Sequence, residues 1–182
     1  MVIVLLSASI FFGVRAESIR RSVQRASAQV ETGDLLSFTK VQDGDTLLLT
    51  NGAGDAVTVR IVGIKAFDQA ALHDPTARWA KEAVSAWEQS LTGKSVRLML
   101  GTPPKDRHGR ALATLFVDDA DVALQLVRDG RVIVYTQYPF PAMSEYLRAQ
   151  VAAQAEKKGL WSDPIVSDRA RALAEQWKKG AP

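Results

Sequence analysis

Two hydrophobic patterns alternate along the chain. Short apolar runs bounded by glycine, proline and other turn-forming residues occupy residues 46–62 and 96–117. Apolar residues three or four positions apart mark most of the stretches between and after them. The first pattern predicts β-strands, and the second predicts helices with one buried face. The arrangement therefore indicates an α+β domain.

The strand prediction is strongest for a hairpin. Apolar runs at residues 46–50 and 56–62 flank a turn at 51–55 that contains two glycines, and glycine permits the backbone conformation that a tight turn needs. Residues 96–100 and 111–117 predict two more strands, joined by a polar loop with two prolines. Residues 133–135 predict a short additional strand.

Helices are predicted in four places. Asp74 as N-cap and Pro75 at the first helical position begin a helix that ends before Gly93. Its apolar face, which we expect in the core, consists of Trp79, Ala83, Val84, Trp87 and Leu91. Asp121 caps a short helix that runs to Val127, and a third helix covers 141–158. Residues 164–179 predict a fourth, exposed helix with sparse apolar positions at Ile165, Ala172, Leu173 and Trp177.

The N-terminal residues 1–14 form an apolar run that suits the core of a signal peptide better than a bilayer-spanning helix. We therefore expect an exported or membrane-anchored protein, with residues 1–14 as the membrane contact. Basic residues follow this run instead of preceding it. That distribution favours an orientation in which the residues after the run stay on the inner side of the membrane. Two explanations stay open: a start codon assigned too late, which removes a basic leader, and an inverted anchor.

These boundaries divide the chain into four segments. They are a signal or anchor-like segment at 1–16, a linker at 17–37, a globular domain at 38–163 and a C-terminal helical tail at 164–182.

Composition narrows the possible partners and cofactors. The 182 residues include no cysteine, which excludes disulfides and thiolate zinc sites. The formal net charge is +3 and the isoelectric point is near 9.3, so contact with nucleic acid or another anionic surface is permitted.

Several motifs of the domain resemble one known family. The motifs are Asp43-Gly44-Asp45-Thr46, Arg60 at the end of the next strand, Lys65-Ala66-Phe67-Asp68 and the segment Asp106–Arg110. Together they resemble the staphylococcal nuclease, or thermonuclease-like, family over about residues 40 to 162. The resemblance implies a five-stranded β-barrel of the OB-fold type with three packed helices. To these the sequence adds the N-terminal apolar segment and the C-terminal helix. The hydrophobic pattern alone is equally compatible with an open sheet.

Phosphodiester cleavage explains why such residues are needed. The reaction requires a positioned water and positive charge near the phosphoryl oxygens, which arginine forks and a carboxylate-bound cation supply. The resemblance implies that Asp45 and the backbone carbonyl of Ala66 bind Ca²⁺. It also implies that Arg60 and Arg110 contact the scissile phosphate and that Asp68 acts on the attacking water.

Lys65 departs from the family pattern, because it stands where the family has another metal-binding aspartate. An ammonium about 4 Å from a divalent ion is repelled by about 8 kcal/mol at an effective dielectric constant near 20. Either Lys65 turns to solvent and metal binds weakly through Asp45 and Ala66, or the ammonium sits between Asp45 and Asp68 in place of the metal. Asp68 is also one methylene shorter than the family's glutamate, so its carboxylate reaches about 1.5 Å less far. We therefore expect weak activity with reduced or lost calcium dependence.

Three further residues are candidates for a phosphate pocket. Arg107 precedes His108, which replaces a family tyrosine that lines the pocket for a terminal phosphate. Tyr135 either stacks on a base or packs at the rim of the barrel.

Three functional hypotheses follow. The first is a phosphodiesterase that hydrolyses single-stranded or frayed DNA or RNA by water attack. The second is an inert barrel that binds nucleic acid or phosphoanions through the same arginines. The third is a membrane-tethered interaction module whose C-terminal helix docks a partner.

Overall fold

The computed structural model describes residues 28–68 and 74–180. The predicted N-terminal segment, and about half of the predicted linker, lie outside these residues. Within them, no helix has the length and apolar character needed to cross a membrane.

Five strands form a closed barrel, which confirms the predicted fold. The strands are β1 (Leu35–Asp43), β2 (Thr46–Thr50), β3 (Ala56–Ile61), β4 (Ile64–Lys65), β5 (Ser95–Lys105), β6 (Ala111–Val117), β7 (Ala120–Asp121) and β8 (Ile133–Val134). The main sheet has the order β3-β2-β1-β5-β6-β7, and a parallel pairing of β3 with β6 closes its first five strands into the barrel. A separate two-stranded sheet pairs β4 with β8.

The strands differ from the sequence-based prediction in several places. β5 continues to Lys105, through the predicted polar loop, and β4 and β7 were not predicted. The first barrel strand, β1, begins at Leu35, inside the stretch interpreted as linker. Its only buried residue is Leu36, so it lacks the alternation of buried and exposed positions that marks β3 and β6. The short strand predicted at 133–135 exists as β8, but it pairs with β4 outside the barrel.

The helices also follow the predicted order. They are α1 (Ala77–Leu91), α2 (Val122–Arg128), α3 (Met143–Ala155) and α4 (Pro164–Lys179), with a 3₁₀ turn at Gly159–Ser162 before α4. α1 begins after Thr76 because the Asp74 carboxylate accepts the Thr76 backbone N–H at 2.8 Å and forms a turn ahead of the helix. The predicted Asp121 cap is present, and its carboxylate accepts the Leu124 N–H at 3.0 Å.

The barrel interior and α1 share one core. Leu47, Leu49, Val57 and Val59 of the predicted hairpin are completely buried. α1 covers one end of this interior with the buried Trp87, whose indole N–H donates to the Gly44 carbonyl at 3.0 Å. That bond fixes α1 against the turn between β1 and β2.

A second core holds α4, which was predicted to be exposed. Val166, Ala170 and Ala174 lie four residues apart on one face of α4 and are buried. They pack with Trp79 of α1 and with Trp161. The predicted apolar positions are less buried, since Ile165 is 65% exposed and Leu173 and Trp177 are half-buried. The prediction was wrong because the buried stripe is mostly alanine, which carries a weak hydrophobic signal.

Tyr146→Phe should lower the free energy of unfolding by about 1.5–3 kcal/mol, the typical contribution of hydrogen bonds to a charged group. Tyr146 is completely buried on α3, and its hydroxyl donates to the Asp121 carboxylate at 2.8 Å, joining α3 to the start of α2. Urea unfolding measures the change. Tyr138→Phe is the control, because Tyr138 is 62% exposed. Equal stability of the two variants would contradict the structural role of this bond.

Candidate active site

The turn between β1 and β2 places an acidic residue inside the protein. Asp45 is only 3% exposed, and its backbone N–H donates to the Asp43 carboxylate at 3.0 Å. Gly44 precedes it and lies so close to Ala66 that a side chain on Gly44 would overlap the Ala66 methyl group. The turn is therefore held tightly against the segment that follows β4.

Arg60 lies beside Asp45 because of strand register. It pairs with Thr46 across the β2–β3 ladder, and its Nη1 atom is 3.3 Å from the Asp45 carboxylate oxygen Oδ1. The same guanidinium donates to the carbonyls of Asp45 at 3.1 Å, Ile61 at 2.8 Å and Ile64 at 2.9 Å. These bonds leave the side chain little freedom to move.

Lys65 occupies the other side of the Asp45 carboxylate. Its Nζ atom is 3.0 Å from Oδ2, and the Ala66 N–H points to the same oxygen at 3.3 Å. Both carboxylate oxygens of Asp45 thus have cationic partners. Of the two arrangements open for Lys65, the structure shows its ammonium on Asp45, with its side chain 47% exposed.

Arg110 approaches the same turn from the segment between β5 and β6. Its Nη1 atom donates to the Thr46 hydroxyl at 3.2 Å, so it contacts the residue next to Asp45. Its Nε atom donates to the Asp106 carboxylate at 2.7 Å. Asp106 also accepts the backbone N–H groups of His108 and Arg110, and it therefore fixes both the turn and the arginine.

The charges of this cluster act on one another. Burial works to raise the pKa of the Asp45 carboxyl, but the charges of Arg60 and Lys65 outweigh burial and hold its pKa below the ordinary value. Burial lowers the pKa of the Arg60 guanidinium; Asp45 opposes the shift and the nearby charge of Arg110 adds to it. Both arginines lie at the same turn, because Arg60 pairs with Thr46 across the ladder and Arg110 donates to the Thr46 hydroxyl.

The remaining predicted site residues adjoin the cluster along the chain or through a backbone hydrogen bond. Arg107 and His108 are exposed on the turn before Arg110, where the Arg107 Nε–H donates to His108 at 3.2 Å. Asp68 is exposed two residues beyond Ala66. Tyr135 is half-buried, and its N–H donates to the Gly63 carbonyl at 2.9 Å. Among the residues that the structure describes, no three histidine or acidic side chains group as metal ligands.

Sequence reasoning missed two residues that organise the site. The motif comparison assigns no role to Asp106, although an aspartate four residues before an arginine is a recognisable ion-pair spacing. Thr46 was assigned only to the turn motif, and only its tertiary contact with Arg110 reveals its further role.

The fold and the site together define the class of protein: it has a small OB-fold-type barrel that carries an acidic turn flanked by two arginines. The model of the staphylococcal nuclease homologue family matches residues 58–163, and the chain belongs to this family. The match covers more than half of the chain, and it supports a nuclease-like function directed at nucleic acid.

Individual relatives agree with the family. An uncharacterized endonuclease of Haemophilus influenzae is 30% identical over 124 residues, which cover 68% of this chain and 64% of that protein. Thermonuclease of Staphylococcus intermedius is 26% identical, with 71% of this chain and 77% of the relative covered. Thermonuclease of Staphylococcus hyicus is 29% identical, with 68% and 73% covered.

Gly44→Ala should destabilise the protein by about 1–3 kcal/mol, because the added methyl group overlaps Ala66 and forces the turn or the loop to move. Thermal unfolding measures the loss. Gly52→Ala is a matched control in the hairpin turn, where an added methyl group meets nothing within 4 Å. If the two variants unfold alike, the close packing of Gly44 on Ala66 is not what holds the acidic turn.

Proposed function

We propose that this protein is a phosphodiesterase that hydrolyses DNA or RNA by attack of water on a phosphate held between Arg60 and Arg110. One observation carries the proposal: residues from distant stretches of chain meet at one buried acidic turn. Arg60 reaches it through the β2–β3 register, and Arg110 through the Thr46 hydroxyl. The family and its endonuclease and thermonuclease relatives support the same reaction class.

Each arginine has a distinct part in the proposed reaction. Guanidinium groups bind phosphate oxygens through two parallel hydrogen bonds and offset the charge that develops as water attacks. Arg60 is the fixed partner, since backbone carbonyls hold it. Arg110 is held by Asp106 and remains partly exposed, so it can contact a phosphate at the surface. Asp68, an exposed carboxylate near the site, is the proposed base for the water.

Calcium, which the family resemblance implies, does not fit the donor set that this chain presents. A calcium ion needs six to eight oxygen ligands, yet both Asp45 oxygens have nitrogen partners. The Lys65 ammonium lies 3.0 Å from Oδ2, where a cation bound to this oxygen would have to sit. The ammonium would therefore repel such a cation. The resemblance implies the Ala66 carbonyl as a metal ligand, but the contact of Ala66 with the Asp45 carboxylate is made by its N–H group. We therefore propose that Lys65 balances the charge of Asp45 and that the reaction is slow.

The second candidate is a barrel that binds nucleic acid without cleaving it. The Lys65–Asp45 ion pair favours it, because that pair replaces the cation that would assist cleavage. Both candidates use Arg60 and Arg110, and they differ only in whether the bound strand is cut.

Arg110→Ala should lower the rate of cleavage of denatured DNA about a hundredfold or more, because one donor to the developing phosphoryl charge is lost. Arg60→Lys should have a similar effect, since it keeps the charge but loses the planar fork. Release of acid-soluble nucleotides measures the rate.

Arg97→Ala is the control for both arginine variants. Arg97 lies on β5, where it pairs with Asp119 at 2.6 Å, and its loss should leave cleavage unchanged. Cleavage by the Arg110→Ala protein at the parent rate would refute the proposed reaction. Binding by the parent without any cleavage would favour the second candidate.

Lys65→Asp should create calcium affinity, because it removes the ammonium and adds a carboxylate beside Asp45. Calorimetric titration with Ca²⁺ should show binding at least about tenfold tighter than in the parent, equivalent to about 1.4 kcal/mol. Lys94→Asp, at an exposed position before β5, makes the same change in net charge. Tight calcium binding by the unmodified protein would contradict the proposed role of Lys65.

A further inference from the structure

The C-terminal helix α4 reaches the candidate site, although it lies beyond the family match at residues 58–163. Trp177, near the end of α4, packs edge-on against Tyr135, with ring centroids 5.0 Å apart and an interplanar angle of 77°. Trp177 is half-buried, so part of its ring is accessible. α4 therefore adds an aromatic side chain to a surface whose other residues belong to the family domain.

Backbone contacts place Tyr135 close to Arg60. The Tyr135 N–H donates to the Gly63 carbonyl at 2.9 Å, and the Arg60 guanidinium donates to the carbonyl of the next residue, Ile64, also at 2.9 Å. Burial raises the pKa of the Tyr135 hydroxyl, and the charges of Arg60 and Asp45 make smaller, opposite contributions to that pKa. The aromatic surface is thus adjacent to the proposed phosphate site.

A third ring extends this surface. Tyr138 lies with its centroid 6.1 Å from that of Tyr135, and it is 62% exposed. We name Tyr135, Tyr138 and Trp177 the aromatic cluster. Two lysines, Lys178 and Lys179, follow Trp177 in the last turn of α4; Lys178 pairs with Glu175 at 2.7 Å, so the net positive charge of this turn comes from Lys179.

Packing and an ion pair hold α4 in this position. Phe67, next to Asp68, packs against the same second core as Trp177. Nearer the start of α4, Arg169 pairs with Asp74 through contacts of 2.7 and 2.5 Å. The aromatic cluster is therefore presented by anchored elements, which lowers the entropy lost when a ligand is bound.

We propose that Trp177 of α4, a side chain from beyond the family match, contacts an unpaired nucleobase next to the phosphate held by Arg60 and Arg110, and so extends the surface of Tyr135 and Tyr138. Single-stranded nucleic acid is bound by this combination, since bases stack on aromatic rings while cations hold the backbone. A base paired within a duplex has both faces covered by its neighbours and cannot stack on the cluster. The inference rests on the proposed function for the phosphate site, and it makes Trp177 a determinant of preference for single strands.

Binding of a short fluorescent DNA strand to the full-length chain, measured by anisotropy in a metal-free buffer, tests the proposal. Trp177→Ala should raise the Kd for this strand about tenfold, equivalent to about 1.4 kcal/mol and within the range for loss of one stacked base. The Kd for an abasic strand with the same number of phosphates should stay unchanged. Trp177→Phe should restore most of the affinity, since it keeps an aromatic ring.

Ile165→Ala is the matched control on the same helix. Ile165 is 65% exposed near the start of α4, about 18 Å along the helix from Trp177, and its loss should change neither Kd. Tyr138→Ala is a second test that does not disturb a buried residue, and it should weaken only the strand that carries bases. Circular dichroism establishes that each variant is folded.

The outcomes separate this inference from the proposed function. Parent-like binding by a folded Trp177→Ala variant would overturn the inference, whatever the Tyr138→Ala variant does and even if the parent cleaves DNA. Equal losses on the abasic and complete strands would also overturn it, because the cluster would then act only on the fold. Selective loss on the complete strand would support the inference even where no strand is cut.

Discussion

The ion pairs of one buried carboxylate connect the fold of this protein to its chemistry. Asp45 lies in the tight turn after β1, Arg60 approaches it from β3, and Lys65 approaches it from β4. A buried charge without partners is costly, and removing one partner of a buried pair typically costs about 3–5 kcal/mol. The turn, the barrel register and β4 must therefore all form correctly before this charge is balanced.

The same arrangement limits the chemistry available at the turn. Both oxygens of a carboxylate that holds two cationic side chains are occupied, whereas Ca²⁺ requires several oxygen ligands. Positive charge remains partly exposed at the surface, on Arg110 and on Lys65. The surface beside the turn is therefore cationic, although the turn itself carries a buried carboxylate.

Local patterns predicted the regular part of the fold. The hairpin of β2 and β3 was visible because glycines separate two apolar runs, and α1 was visible because its buried residues repeat at helical spacing. β1 was largely missed because it is mostly exposed, and the burial of α4 was missed because alanines form its contact face. Closure of the barrel followed from the family resemblance, since the pairing of β3 with β6 joins strands far apart in sequence.

For the candidate site, motif spacing located Asp45, Arg60 and Arg110, and the structure brings them together. The sequence left two positions open for Lys65, because a flexible side chain can either reach Asp45 or turn to solvent. Asp106 could have been found from its spacing to Arg110. Trp177 could not, because its contact with Tyr135 depends on how α4 folds back onto the domain.

Closure of the barrel by parallel strands also governs how the two arginines are separated. Arg60 pairs with Leu112, two residues beyond Arg110, so main-chain hydrogen bonds set the spacing between the backbones of the two arginines. The irregular part of the β5–β6 ladder lies between Leu100 and Lys105, before Asp106 and the turn that hold Arg110. A change of length confined to this irregular part would therefore leave the two arginine backbones in register, as long as the turn that begins at Asp106 is kept.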